Sequence, residues 1–385
     1  MRLLRMKQTS RIISTYSADT FGVCSALFEL GGMTVMHDAS GCNSTYTTHD
    51  EPRWYDMDSM VYISGLSEME AVLGDDEKLI GDIIAAAQEL HPRFIAVAGT
   101  PIPTMTGFDF AAVAEVIQRR TGIPAFGFPT TGMNTYVTGV SMALDALARR
   151  IPTEGLPKTS CPSVNILGLT PLDFSVNGSD ASIARFAENA GFQVLSRWAM
   201  GSSLEEMTQA GAAHVNLVVS TAALAAAKTL KARFGTPYVV GVPMGTAFAG
   251  LLADALHTAA STGEDQIPHS CLPGGDTVIL GEGVYGCSLA SALEAETGIP
   301  VRVICTTEWE ASLLRQKDLH LNWETDLEEA LKTAKTVIAD PLFRPICPKE
   351  ARWIELPTEA FSGRIYRSRI PNLTANFEAF KKEVM

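Results

Sequence analysis

Short apolar segments recur along the chain, and most are followed by a Gly- or Pro-containing loop and then by a segment with helical periodicity. A strand buried on both faces is apolar throughout, whereas a helix that covers a sheet is apolar on one side only. The pattern therefore predicts parallel strands alternating with helices. The clearest apolar segments are RFIAVAGTP (93–101), SVNILGLTP (163–171), HVNLVVST (214–221), DTVILGEG (276–283) and TVIAD (336–340).

This alternation groups into three Rossmann-like units, so the predicted fold class is α/β with parallel sheets flanked by helices. Pro- and Gly-rich segments at 151–163 and 257–275 mark the two boundaries. We expect domains at 1–157, 158–270 and 271–385, and the last helix, ANFEAFKKEV, can fold back onto another unit. Ligands of such sheets bind beyond the carboxyl ends of the strands, so the loops after the strands are the candidate sites.

Composition narrows the functional class. The net charge of -13 and the lack of a Lys/Arg run argue against nucleic-acid binding. The N-terminal residues lack the apolar stretch of a signal peptide, and the longest uncharged segment, 236–253, is broken by prolines and glycines, so no membrane span is expected. Seven cysteines without a CxxC pair fit reduced thiols, some of them possible ligands, and favour a cytoplasmic location.

A glycine pattern after one strand resembles a dinucleotide fingerprint. Gly281, Gly283 and Gly286 spell GxGxxG between a predicted strand and a predicted helix. However, Glu282 places a negative charge where a pyrophosphate would bind, and Glu308 is a poor match for the ribose-binding acid. A tight strand-to-helix turn is the simpler interpretation, and a dinucleotide binder is a weaker alternative. The chain has no GxxxxGK[ST] motif, so we do not expect it to hydrolyse ATP itself.

Cys24 and Cys42 are the candidate metal ligands. Cys24 precedes a predicted helix, SALFELGG, and Cys42 follows a predicted strand, MTVMH, so both thiols would lie at element ends. Iron–sulfur clusters require thiolates, usually four, in a dry pocket, and Gly22 and Gly41 would let the backbone approach the sulfide. On spacing alone, ordinary reduced cysteines are the simpler interpretation. Two thiols from one chain would also leave a four-iron cluster two ligands short.

The order and spacing of several segments resemble the nitrogenase component 1 family. This family includes dinitrogenase subunits, cofactor-assembly scaffolds and subunits of dark-operative protochlorophyllide reductase. The resemblance runs nearly end to end. It rests on FGVCSAL, HDASGC (similar to the family's HG-x-x-GC), YISGLSEMEAVLGDDEKL, HPRFIAVAGTP, SSLEEMTQAGAAHVNLVVS, ARFGTPY and DPLFRPICP…AFSGRIY.

The resemblance implies that Cys24 and Cys42 hold an iron–sulfur cluster at an interface between two subunits. Thr100 stands where the family has a third cysteine, so an eight-iron cluster is not expected. Two cysteines from each of two chains would hold one [4Fe-4S] cluster, in a homodimer or in a heterodimer with a close relative. The cysteine and histidine that anchor the dinitrogenase cofactor are also missing, at Val219–Thr221 and in IELPTEAFSG, so this is not a dinitrogenase.

The resemblance leaves two functional classes. The preferred prediction is an electron-transferring component that receives electrons from a separate ATP-dependent iron–sulfur reductase and reduces a small-molecule substrate between the three units. The alternative is a scaffold for metallocluster assembly. The remaining polar and sulfur side chains are expected to have minor roles: His37 and Asp38 as tuning or turn residues, His49 and Asp50 as an exposed polar pair, Cys287 and Cys305 as packed thiols, Cys271 and Cys347 without assignment, and Lys228 and Arg233 as solvated charges.

Overall fold

Three separate parallel β-sheets form the frame of the protein. The structure is a computed structural model, and it describes residues 11–12, 18–39, 41, 43, 46, 50–313 and 315–385. All strand pairs in the three sheets are parallel, and helices flank each sheet. The predicted α/β fold class with three Rossmann-like units is therefore confirmed.

The first sheet has the strand order β2-β1-β3-β4. Its helices begin and end at recognisable signals: the Asp109 carboxylate caps the fifth helix by accepting from Ala112 N–H, and Gly122, with a positive φ of 74°, ends it. The elements are β1 (Met33–Met36), β2 (Met60–Ile63), β3 (Ile95–Ala98), β4 (Ala125–Phe128), α1 (Asp19–Leu27), α2 (Glu68–Leu73), α3 (Asp76–Leu90), α4 (Pro101–Thr106), α5 (Phe110–Thr121) and α6 (Tyr136–Arg150).

The second sheet has the strand order β6-β5-β7-β8. Its central strands are completely buried, as the apolar segments predict, and two buried asparagines, Asn165 and Asn216, hydrogen-bond each other across them at 2.8 Å. The elements are β5 (Ser163–Leu167), β6 (Gln193–Trp198), β7 (Val215–Val218), β8 (Tyr238–Val240), α7 (Pro171–Phe174), α8 (Ser179–Asn189), α9 (Leu204–Thr208), α10 (Leu224–Phe234) and α11 (Thr246–Thr262).

The third sheet has the strand order β11-β10-β9-β12-β13. The PLFRPICP loop after its fourth strand forms a 3-10 helix, Pro341–Ile346, capped by the Asp340 carboxylate. The elements are β9 (Thr277–Gly281), β10 (Val301–Cys305), β11 (Leu319–His320), β12 (Thr336–Ala339), β13 (Arg352–Glu355), α12 (Gly283–Thr297), α13 (Glu324–Leu331), α14 (Glu359–Ser362) and α15 (Leu373–Val384).

The three units share one large apolar core, which runs from α1 and α6 through the second sheet to α12 and α15. The last helix, α15, packs on α8 of the second sheet and also reaches α12, where Lys381 Nζ donates to Glu296 at 2.7 Å. The domain limits at 157/158 and 270/271 stay predictions. None of the helices within the described residues combines the length and the apolar character that crossing a membrane requires.

Candidate functional site

Cys24 lies in the middle of α1 and is completely buried. The expectation that a helix begins after Cys24 is wrong in its boundary, because α1 starts at Asp19, whose carboxylate is fixed by backbone N–H groups of Thr131 and Gly132. Apolar side chains enclose the thiol: Phe21, Phe28, Met36, Tyr46 and Val61. Burial, with a further contribution from the Glu51 carboxylate, raises the pKa of the Cys24 thiol well above its usual range.

Tyr46, four positions after Cys42 in the sequence, belongs to the same apolar cluster as Cys24. Cys42 and His49 themselves lie outside the described residues. Within the same segment, the Tyr46 ring stacks on Phe21 with the ring centroids 5.2 Å apart. The Tyr46 hydroxyl donates to Glu51 at 2.9 Å, and burial, the Glu51 charge and then the Cys24 sulfur raise the pKa of Tyr46. Tyr46 and Glu51 therefore lie near the Cys24 thiol.

The two glycines proposed to admit a cluster have different surroundings. A Cβ at Gly22 would lie 2.2 Å from the carbonyl oxygen of Tyr136, so this glycine lets α1 approach α6 closely. Helix packing is thus a sufficient reason for glycine at this position. A Cβ at Gly41 would meet no heavy atom of the described residues within 4 Å, so a packing role like that of Gly22 is not seen there.

Thr100, which stands in place of a third cysteine, faces the segment after β1. Its buried hydroxyl lies 2.8 Å from the carbonyl oxygen of His37 and 3.1 Å from a carboxylate oxygen of Asp38. His37 Nδ1 is 2.9 Å from the Ser64 hydroxyl, and Asp38 accepts from Asn43 at 2.5 Å. Burial lowers the pKa of His37 to about 4, so its imidazole is neutral at pH 7. His37 and Asp38 thus close the turn after β1.

Arg53 is a buried anchor that sequence reasoning missed. Its guanidinium pairs with Glu51 at 2.6 Å and with Glu29 at 2.8 Å, and it also donates to the carbonyl oxygens of Ser25 and Ala199. The 51–53 segment is thereby fixed against α1 and against the second sheet. The only local trace of this anchor is the charged pair in EPRW. A charged pair in a polar loop does not indicate that either residue is buried.

The donor chemistry near Cys24 fits one half of an iron–sulfur site. A thiol enclosed by apolar side chains supplies the soft donor and the dry surroundings that such clusters need. Within the described ranges, no three His, Cys, Asp or Glu side chains lie close enough together to hold a metal ion. Further thiolates would therefore have to come from Cys42 and from another chain.

A second candidate site lies where the three units meet, around a cavity with space for about one water molecule, ≈ 20 Å³. Tyr136 lines it from the first unit and Asp173 from the second, and the third unit contributes Glu282, Tyr285 and Asp340. These polar groups follow strand ends, where sheets of this type place their ligands.

The structure favours a strand-to-helix turn for the GxGxxG segment. Glu282 caps α12: its carboxylate accepts from Tyr285 N–H at 2.7 Å and from Thr221 N–H at 2.8 Å, so it occupies the helix N-terminus that a phosphate would need. Gly283 packs against the ring of Trp309, which leaves no space for a Cβ. Glu308 binds Thr135 N–H at 2.9 Å and so joins the third unit to the start of α6.

The remaining sequence assignments have mixed outcomes. Cys287 and Cys305 are buried thiols, whereas Cys271 is exposed and Cys347 is half-buried. The description of Arg233 as a solvated charge is wrong: its guanidinium binds the carbonyl oxygens of Ala148 and Pro152 and so joins α10 to the end of the first unit. Lys228 pairs with Glu310 near the surface, and Asp50 is buried rather than exposed.

A family model described as nitrogenase component 1 type oxidoreductase matches residues 20–341. The chain belongs to this family. NifE of Clostridium pasteurianum, a nitrogenase iron-molybdenum cofactor biosynthesis protein, is 26% identical over 180 residues, which cover 46% of this chain and 38% of NifE. One of the subunits of the light-independent protochlorophyllide reductase of Nostoc punctiforme is 28% identical over 185 residues, covering 45% of this chain and 36% of that subunit.

The nitrogenase component 1 fold extends over the whole chain. The solved structure of nitrogenase Cp1 at pH 6.5 superposes with a TM-score of 0.69, covering 99% of this chain and 94% of that one at 15% identity. The matched regions of NifE and of the reductase subunit span less than two fifths of those proteins. The family's members bind clusters of the iron–sulfur type, work with an ATP-dependent reductase and form oligomers.

Proposed function

We propose that this chain is the electron-accepting component of a two-component reductase, in which Cys24 and Cys42 of each of two chains hold one shared [4Fe-4S] cluster. The observation that carries the proposal is the complete burial of the Cys24 thiol in an apolar cluster that includes Tyr46, four positions after Cys42 in the sequence. Such a pocket excludes water, and it favours a cluster of low net charge over a free thiolate. When bound, the cluster supplies single electrons.

An exposed apolar surface at the carboxyl end of the first sheet supports the proposed dimer. Helices α2 and α4 follow strands β2 and β3 and contact each other. They therefore lie at the carboxyl ends of the strands of the first sheet, as do the residues that follow β1. Large exposed apolar side chains of this kind mark protein interfaces. We call the surface the apolar edge; it consists of Met69, Val72, Leu73, Ile102, Met105 and Met133, of which Met105 is 87% exposed.

A second copy of this chain is the proposed occupant of the apolar edge. Pairing two such edges would bring together the carboxyl ends of two copies of β1, and it would double the two proposed thiol ligands of one chain to the four that a cluster needs. The alternative occupant is a related subunit. A heterodimer, seen in the oligomeric state and the subunit composition of the purified complex, would show it.

Cofactor assembly is the second candidate function. This function is favoured by the small volume of the cavity between the three units. The cavity has space for about one water molecule, so it does not hold an organic substrate in this conformation. NifE, to which the chain is similar, is described as a cofactor biosynthesis protein. A scaffold would bind its cluster at the dimer interface without turning over a substrate in that cavity.

Iron content and oligomeric state test the proposal. The anaerobically purified and reconstituted chain is expected to be a dimer with about four irons per two chains. Cys24→Ala and Cys42→Ala should each abolish iron binding with little change in circular dichroism. Cys305→Ala, which removes an equally buried thiol from the third unit, is the matched control and should retain its iron. Unchanged iron content in the first two variants would exclude the ligand assignment.

Electron delivery separates the two candidate functions. A reductase component is expected to accept electrons from an iron–sulfur reductase only in the presence of ATP. Electron paramagnetic resonance would detect the reduced cluster. A scaffold is expected to release its cluster to an apo acceptor protein instead. Transfer of the cluster without any ATP-dependent reduction would contradict the reductase function and support the scaffold function.

A further inference from the structure

The cavity between the three units contains a buried acid, one oxygen of which lacks a well-formed hydrogen bond. Asp173 is 6% exposed and lines the cavity, and its Oδ1 accepts a hydrogen bond from the Tyr136 hydroxyl. Its Oδ2 is buried and has no partner of good hydrogen-bond geometry among the described residues, although the Ser220 hydroxyl lies near enough to lower the pKa of the acid. An unpaired buried carboxylate oxygen costs free energy unless it carries a proton or binds a ligand.

The neighbouring acid, Glu282, has the opposite surroundings. Both of its oxygens accept backbone N–H groups, from Thr221 and from Tyr285, and it sits at the N-terminus of α12, where the helix dipole favours negative charge. The hydrogen bonds of Glu282 are thus complete. Burial and then the Glu282 charge raise the pKa of Asp173 to about 8, against the opposing hydrogen bonds from Tyr136 and Ser220, so Asp173 carries a proton at pH 7.

Other unpartnered polar atoms surround the same turn. Thr221 donates its backbone N–H to Glu282, Thr306 donates its backbone N–H to the Gly281 carbonyl at 3.2 Å, and the Trp309 ring packs on Gly283. The side-chain Oγ1 atoms of both threonines and Nε1 of Trp309 are buried without partners among the described residues. Thr221 and Trp309 line a separate surface cleft rather than the Asp173 cavity, so these atoms do not belong to the ligand site of that cavity.

We propose that Asp173 is the proton donor of the cavity between the three units, and that the cavity takes a small ligand with a basic nitrogen or oxygen atom. The O–H bond at Oδ2 breaks, the proton forms a bond to the ligand atom, and Asp173 is left as a carboxylate that Tyr136 stabilises. Solvent returns the proton. In the reductase proposed above, on which this second step rests, one electron from the iron–sulfur reductase and one proton from Asp173 together add one hydrogen atom to the acceptor.

Infrared spectroscopy of the full chain without a cluster tests the proton donor independently of the redox proposal. At pH 7 the wild-type protein should show a carboxylic-acid C=O band that shifts in D2O. The band should disappear in Asp173→Asn and persist in Asp340→Asn. Asp340 is the matched control because it lines the same cavity, but its carboxylate accepts from Leu342, Thr358 and Ser362. A band that survives in Asp173→Asn, or that ignores D2O, would overturn the assignment.

Ammonia is a suitable probe ligand because it is basic and about the size of water. Ammonium chloride should remove the Asp173 band, since the proton passes to ammonia and the carboxylate pairs with the ammonium ion. Tetramethylammonium chloride, whose cation exceeds the cavity, should leave the band unchanged. Equal effects of the two salts, or none, would overturn the donor role. If Asp173→Asn does not fold, Tyr136→Phe decides: losing the hydroxyl at Oδ1 should shift the band, and an unshifted band would contradict the assignment.

Discussion

Arg53 Nη1 donates a hydrogen bond to the carbonyl oxygen of Ala199 at 2.8 Å, which ties the segment after β1 to the loop after β6. Ala199 has a positive φ of 89°, a conformation that a residue with a Cβ rarely adopts. The same loop is held a second time, because Glu29, an ion-pair partner of Arg53, accepts from Gly201 N–H at 2.6 Å. The buried Arg53 guanidinium thus holds residues 51–53 against α1, which carries Cys24, and against the loop after β6 in the second unit.

Replacing Arg53 by alanine should therefore lower the free energy of unfolding by about 3–5 kcal/mol, because the buried Glu51 and the half-buried Glu29 lose their counter-charge. Urea denaturation would measure the loss. Arg120→Ala, which breaks an exposed pair with Glu77, is the control and should cost far less stability than Arg53→Ala. Equal losses in the two variants would show that Arg53 is not the anchor described here.

His269 predicts how stability depends on pH. Its ring stacks on Phe248 in the interior, and burial followed by the nearby Arg315 charge lowers its pKa to about 3. The unfolded state takes up a proton below about pH 6.5, whereas the folded state stays neutral until about pH 3. This contribution to stability is therefore complete above pH 6.5 and is lost as the pH falls, on the order of 1 kcal/mol per pH unit.

The measurement compares unfolding free energies of the wild type and His269→Asn between pH 7 and pH 4. The variant should lose less stability on acidification than the wild type. His91→Asn, at the exposed C-terminal end of α3, is the control and should follow the wild-type curve. Parallel curves for wild type and His269→Asn would contradict the prediction.

Gly22→Ala distinguishes a packing glycine from a cluster-binding one. The new Cβ would overlap the Tyr136 carbonyl, so α1 must move away from α6, and we expect a loss of several kcal/mol in the free energy of unfolding. Gly81→Ala is the control, since this glycine lies within α3 and its Cβ would meet nothing within 4 Å; alanine should stabilise that helix by about 0.5–1 kcal/mol. Iron loss from Gly22→Ala at unchanged stability would instead favour the cluster-binding role.

The sequence was sufficient for the fold because fold class depends on local patterns. Each apolar segment quoted at 93–101, 163–171, 214–221, 276–283 and 336–340 contains a parallel strand of the structure. Each strand also lies in the sheet of its own third of the chain. Periodicity and loop composition carry this information residue by residue, so no long-range contact is needed to read it.

The sites were less predictable because they depend on contacts between distant residues. The start of α1 depends on Asp19 binding residues more than 110 positions away, and the role of Arg53 depends on Ala199. Likewise, Asp173 and Glu282 come from different units, and nothing in either local sequence indicates that one acid stays protonated beside the other. The candidate thiols were identified by family resemblance, which encodes such contacts indirectly.

Thr100→Cys tests whether position 100 faces the proposed cluster. The hydroxyl of Thr100 contacts the backbone of the segment that carries Cys42, so a thiol there would add one sulfur ligand per chain to the proposed interface. We expect an altered electron paramagnetic resonance spectrum and a changed iron content per dimer. Losing the hydrogen bond to the His37 carbonyl should also cost about 1 kcal/mol of stability. Thr100→Ser keeps the hydroxyl and should behave as wild type. If the cysteine variant has the spectrum and iron content of the serine variant, position 100 does not face a cluster.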